Sequence, residues 1–168
     1  MKYWDASGVV PLLIAEASSA MLREVLGSDP TMVCWWGTRI ECASAIARYA
    51  RAERLASTAI AAARRRLVSL LEEWTEIEPD EVLRTTAERV ASVHSLRAAD
   101  AVQLAAALVA CDGTPANLSF VCLDTRLREA AMREGFVVVP DAAPRATAVR
   151  ERSPRRRPKA TPARRVRA

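Results

Sequence analysis

The sequence predicts an α/β fold in which a parallel sheet is covered by helices on both faces. Three observations carry this. Short apolar runs alternate along the chain with longer segments of helical periodicity, the order that successive β-α-β units produce. The strand-like runs are apolar almost throughout, so both of their faces need cover. Glycine is scarce, at 5 of 168 residues, and hydrophobic residues reach 51%, which favours helices over a many-turned β-sandwich. One domain is expected at this length.

The elements follow in order. Tyr3-Trp4, ahead of Asp5, reads as a short buried strand. Val9 to Ala15 continues as a helix, with Pro11 tolerated in its first turn. Ser18 to Leu26 forms a second helix with Met21, Leu22, Val25 and Leu26 on one side, and Gly27-Ser28-Asp29-Pro30 is a turn signal. Thr31 to Trp35 is a second apolar strand. A helix then runs from Thr38 to about Ala52, with Ile40, Ala43, Ala47 and Ala50 as its apolar stripe. Leu55 to Glu73 is another helix, and Trp74 to Ile77 a weak strand. Pro79, Asp80 and Glu81 suit the start of a helix whose apolar face is Leu83, Ala87 and Val90. Leu96 to Cys111 is the most helical stretch, with Ala101, Leu104, Ala105 and Leu108 on one face. After a loop over 112–117, Ser119 to Leu123 is a strand ended by Asp124. Thr125 to Glu134 is a helix stopped by Gly135, and Phe136 to Val139 is the last strand.

Charge divides the chain. The net charge is +5, but residues 142–168 hold ten Lys and Arg against one Glu. The rest is therefore mildly acidic, at a net −4. The tail, 141–168, carries four Pro and no apolar periodicity and is expected to be disordered. It reads either as a solvated appendage or as an electrostatic arm for nucleic-acid phosphates. Cys34, Cys42, Cys111 and Cys122 form no C-x-x-C pair, and the one histidine, His94, is remote from them, which argues against a zinc site. A reduced, cytoplasmic setting with no export signal and no membrane span is expected. A single histidine also disfavours a metal-free ribonuclease built on two of them, with His94 read as a partly buried helix residue.

Four acids stand out: Asp5, Glu41, Asp100 and Asp124. Each has a plain alternative. Asp5 and Asp124 suit helix caps, Asp100 suits a helix dipole, and Glu41 suits a solvated helix face. Their neighbours point elsewhere, since Trp4-Asp5-Ala6, Ile40-Glu41-Cys42 and Ala99-Asp100-Ala101 set the acid among apolar or small residues. Asp5 and Asp124 also sit at strand carboxyl ends, where parallel sheets place their ligands. Several acids held together repel one another, and a hard cation such as Mg²⁺ or Mn²⁺ relieves that. There is no Walker A loop and no G-x-G-x-x-G. Ser7 stands where a dehalogenase-type phosphatase needs a second Asp, and the acid pair and late Lys of receiver domains are missing.

Four segments carry a family resemblance: Tyr3-Trp4-Asp5-Ala6-Ser7, Arg39-Ile40-Glu41-Cys42-Ala43-Ser44-Ala45, Leu96-Arg97-Ala98-Ala99-Asp100-Ala101-Val102-Gln103-Leu104-Ala105, and Phe120-Val121-Cys122-Leu123-Asp124-Thr125-Arg126-Leu127. In their order and spacing, residues 1–140 resemble PIN domains, in particular the VapC toxins of bacterial toxin–antitoxin pairs. The resemblance implies a Rossmann-like three-layer fold with about five parallel strands. It implies Mg²⁺- or Mn²⁺-dependent hydrolysis of RNA, with Asp5, Glu41, Asp100 and Asp124 as catalytic metal ligands and Ser7 as a supporting hydroxyl. It also implies a cognate antitoxin, expected to lay an apolar helix against the Leu12–Leu26 and Thr38–Leu71 helices, and a homodimer. The alternatives are a PIN-fold processing nuclease without a toxin role and a binding module that does not cut. Gln103 departs from the family, where an apolar residue or His is usual, and is expected to be harmless. The basic tail extends past the family's usual end, so the resemblance assigns it no role.

Overall fold

The computed structural model describes residues 1–52 and 54–141, so the expectations for residues 142–168 lie outside the described residues. The chain alternates strand and helix from its start. Strand β1 (Lys2–Trp4) leads through α1 (Ala6–Leu13) and α2 (Ser19–Ser28) to β2 (Met32–Trp35). Helices α3 (Thr38–Arg51) and α4 (Ser57–Leu71) precede β3 (Thr75–Ile77). Helices α5 (Glu81–His94) and α6 (Ala98–Ala110) lead, through a 3-10 turn at Pro115–Asn117, to β4 (Ser119–Val121). Helix α7 (Thr125–Arg133) and β5 (Val137–Val139) complete the order. The five strands form one all-parallel sheet in the order β3-β2-β1-β4-β5. This is a Rossmann-like three-layer α/β fold. No described helix is long and apolar enough to cross a membrane.

Strand side chains alternate between the two faces and build two cores. Tyr3, Val33, Phe120 and Val138 face the core shared with α5, α6 and α7. Trp4, Met32, Cys34 and Val121 face the core shared with α1 to α4. Each fully buried large apolar side chain contributes about 1.5–3 kcal/mol, so both helical layers are held by the strand residues between them. The predicted apolar faces of α5 (Leu83, Ala87, Val90) and α6 (Ala101, Leu104, Ala105, Leu108) are buried as expected. Cys34 and Cys122 are buried free thiols.

Three local expectations are corrected. Helix α1 begins at Ala6, three residues earlier than predicted, because Asp5 caps it; Pro11 therefore lies inside the helix and not in its first turn. With no N–H at Pro11, the carbonyl of Ser7 loses its regular helical partner, consistent with a helix of eight residues. Gly27 and Ser28 belong to α2, so the turn starts at Asp29. The buried face of α3 is Thr38, Cys42, Ala45 and Ile46, whereas Ile40 is 57% exposed and Ala43 is exposed. The alanine periodicity there was ambiguous, since small residues fit either side of a helix, and the larger Ile46 decides the rotation.

Candidate functional site

The sheet order creates the site. From β1 the chain moves to β2 and β3 on one side, then returns to place β4 against the other side of β1. Connections diverge between β1 and β4, and at their carboxyl ends this leaves a crevice. Asp5 immediately follows β1, and its N–H donates to the Val121 carbonyl of β4 at 3.0 Å. Asp124 follows β4 and opens α7. Glu41 lies in the first turn of α3 after β2, and Asp100 in the first turn of α6. All four acids and Ser7 line one open cleft of about 740 Å³, together with Val10, Glu16, Ile40, Ser44, Ala45, Arg48 and Leu123 among others.

Both plain readings of Asp5 and Asp124 hold alongside this. Asp5 caps α1, accepting the Ser7 N–H on Oδ2 at 2.9 Å. Asp124 caps α7, accepting the Leu127 N–H on Oδ1 at 2.9 Å. The Ser7 hydroxyl also donates to Asp5 Oδ2 and accepts the Leu123 N–H at 2.9 Å. The Cys122 thiol donates to the same Oδ2 at 3.5 Å. These donors occupy one oxygen of Asp5; Oδ1 accepts no hydrogen bond among the described residues. Gly8 lets α1 come this close: a Cβ there would meet Val121 Cγ1 and its carbonyl at 3.1 Å.

Burial grades across the cluster. Asp5 is 5% exposed, Glu41 and Asp100 are half-buried, and Asp124 is exposed. Burial pushes the Asp5 carboxyl above the ordinary carboxylate range, opposed by its Ser7 and Cys122 donors and reinforced by the charge of Asp100. Burial first, then the charge of Asp5, pushes Glu41 up to about 7; a hydrogen bond from Gln103 opposes the rise and Asp100 adds to it. Asp100 is raised by burial and then by Asp124, against the pull of Arg97 and Arg126. Burial and the charge of Asp5 also raise the Cys122 thiol, so it remains a protonated donor.

Gln103 is a buried partner of the cluster to which the sequence assigned no role. It is 1% exposed and donates from Nε2 to Glu41 Oε1 and to Thr38 Oγ1, both at 3.1 Å, while Tyr3 donates its hydroxyl to Gln103 Oε1 at 2.7 Å. The signal was readable: one polar residue inside the apolar run Ala101–Ala110 needs partners. Glu16 and Arg48 carried no comparable signal, since exposed helix and loop charges are common. His94 is absent from the cleft; its side chain is 5% exposed and lies 2.6 Å from Glu134.

The cluster offers acceptor-only oxygens from four separate elements. At least three of the acids are disfavoured in their charged form by burial and by one another. Such a donor set fits a hard divalent cation, which prefers carboxylate oxygens and tolerates water in its remaining positions. Among the described residues, no group of three or more His, Cys, Asp or Glu side chains forms a ready-made metal cage. The four acids line one cleft without forming such a cage.

No family model matches the chain, and no curated protein does. Among solved structures the chain is similar to PAE2754 from Pyrobaculum aerophilum, with a TM-score of 0.60 at 24% sequence identity, covering 83% of this chain and 91% of that one. At that identity the likeness speaks to the fold alone.

Proposed function

We propose that this chain is a divalent-metal-dependent endoribonuclease of the PIN type, serving as the toxin of a VapBC-type pair. The convergence of Asp5, Glu41, Asp100 and Asp124 on one cleft at the sheet's switch point carries the nuclease reading. RNA as substrate, a cognate antitoxin, a homodimer and a cytoplasmic setting rest on the resemblance of the four acid-bearing segments to VapC toxins.

Mg²⁺ or Mn²⁺, held by the four carboxylates, would supply positive charge to the scissile phosphate and make water acidic enough to act as nucleophile. Asp5 would be the most rigid of the ligands, because its donors fix Oδ2 while Oδ1 accepts no hydrogen bond among the described residues. Ser7 fixes Asp5 and ties it to the backbone after β4. Glu41, half-buried and held on Oε1 by Gln103, would be placed to orient the attacking water and take its proton as the phosphorus–oxygen bond to the leaving nucleotide breaks. Asp124 shares the role of orienting that water. Arg48 on the cleft wall, with Arg97 and Arg126 beside Asp100, offers contacts for the phosphates that flank the cut. A second groove of about 530 Å³ between α1, α2 and α4, lined by Leu12, Leu26, Leu70, Arg23, Arg65 and Arg66 among others, is suited to the antitoxin helix.

The test is cleavage of mixed cellular RNA with Mg²⁺ or Mn²⁺, with and without chelator, by the wild-type protein and by Asp5→Asn. Metal-dependent cleavage is expected, and Asp5→Asn should lose more than the roughly 10–100-fold typical of changes one shell away from a metal. Cleavage that persists in chelator and in the variant rejects the reading. A folded wild-type protein that binds RNA and cuts none leaves the binding module in its place.

A further inference from the structure

We propose that Gln103 is a positioning residue: its carboxamide, fixed by Tyr3, pins one oxygen of Glu41 and so sets how tightly the acid cluster holds a divalent cation. This rests on the cation-dependent reading of the cleft and assigns to it a residue that its four acids do not include. The geometry is specific. Gln103 lies three residues after Asp100 on α6, so it sits one turn deeper on the same side of the helix. Its amide is buried, and a buried amide without partners costs several kcal/mol.

Both N–H donors of that amide and one lone pair of its oxygen are used. An ionised carboxylate only accepts, so with Glu41 deprotonated the side facing its Oε1 is Nε2, as the structure has it. The second Nε2 hydrogen goes to Thr38 Oγ1, one turn before Glu41 on the same helix. The carboxamide oxygen accepts the Tyr3 hydroxyl, and the Tyr3 ring is stacked on Phe120 at 5.2 Å, fully buried between strand and helix. The phenol therefore has little freedom, and it fixes the carboxamide in turn. Glu41 receives this constraint on Oε1, leaving Oε2 to turn toward Asp5 and Asp100. A leucine or histidine here could fill the space, but neither would make this pair of donations while accepting from Tyr3.

A purely structural bridge between α3 and α6 makes a different prediction from a bridge that acts through Glu41. The experiment is a double-mutant cycle on Mn²⁺ binding, measured by titration calorimetry on the full chain: wild type, Gln103→Leu, Glu41→Gln and the double variant, with melting temperature recorded for each. Gln103→Leu is expected to weaken Mn²⁺ binding about 10–100-fold, the range found for groups that orient metal ligands. In the Glu41→Gln background the same substitution should change affinity less than about threefold, because the group it acts through is gone. Tyr3→Phe should give an intermediate loss. If Gln103→Leu does not fold, the cycle is run with Tyr3→Phe added, which removes the orphaned phenol. Unchanged affinity in Gln103→Leu, or an equal loss with and without Glu41, overturns the positioning role while leaving the cation site standing. A folded wild type that takes up no Mn²⁺ overturns the cation reading and the positioning role together.

Discussion

Glu41 shows how burial turns a plain helix acid into a pH-sensitive one. Its carboxyl is pushed from an ordinary 4.5 up to about 7, mainly by burial and then by Asp5. The folded protein therefore holds a proton that the unfolded chain has already released between those two values. Stability falls as pH rises through that window, and the cost is fully present above 7. Asp5 and Asp100 are shifted in the same direction, so they reinforce the trend. Glu41→Gln removes this cost. In cation-free buffer the variant should be more stable than wild type by about 1–2 kcal/mol at pH 8, after discounting for solvent screening at a half-buried group, and no more stable at pH 4. Urea unfolding at the two pH values measures this; an equal gain at both would show that the burial argument is wrong. The sequence disclosed the apolar surroundings of Asp5, Glu41 and Asp100 but not their unequal burial. Nor did it show that Gln103 opposes the shift at Glu41, because that contact joins residues 62 positions apart.

At the scale of elements, the sequence was informative where large apolar residues fix the rotation of a helix and uninformative where alanine does not. Leu83, Ala87 and Val90 placed α5 correctly, whereas the alanines of α3 pointed to the wrong stripe and put Ile40 in the core. Ile40 instead lines the cleft. The predicted start of α1 falls three residues late because Asp5 caps the helix while also lining the cleft. Arg128 was also overlooked. It is 8% exposed and donates to the carbonyls of Cys122 and Pro140, both at 2.7 Å, fastening the end of β4 to the segment after β5. On the proposed toxin reading, the docking helix is assigned to the groove between α1, α2 and α4, to whose lining α3 contributes nothing. Its wall carries three arginines against one acid, Glu73, so a helix that seats there should bring carboxylates around an apolar stripe. Arg66 already donates to the Leu13 carbonyl and is best left intact. If the chain is the proposed toxin, the double variant Arg23→Glu, Arg65→Glu should weaken antitoxin binding roughly tenfold or more through like-charge repulsion, without altering RNA cleavage. Cleavage assays with added antitoxin separate the two. Undiminished neutralisation would move the docking site elsewhere.

Across the whole molecule, the cleft is the meeting point of elements distant in sequence. Asp5 comes from the end of β1, Glu41 from α3, Asp100 from α6 and Asp124 from the start of α7. These elements belong to both helical layers, so repulsion among the acids acts on the join between layers and not within one helix. A cation bound to acids from all four would link the two layers and oppose that repulsion. Anything that binds the folded state alone stabilises it by mass action, about 2.7 kcal/mol at a hundredfold excess over Kd. For a domain of this size that corresponds to a rise in Tm of roughly 5–10 °C. Thermal unfolding of the full chain at pH 7.5, with Mn²⁺ against excess chelator, should show that rise. Asp5→Asn should abolish most of it, because Asp5 is the acid held most rigidly. Surface binding of cations elsewhere would raise Tm in wild type and variant alike. A rise of equal size in both would therefore place the cation outside the cleft and remove the physical basis for grouping the four acids.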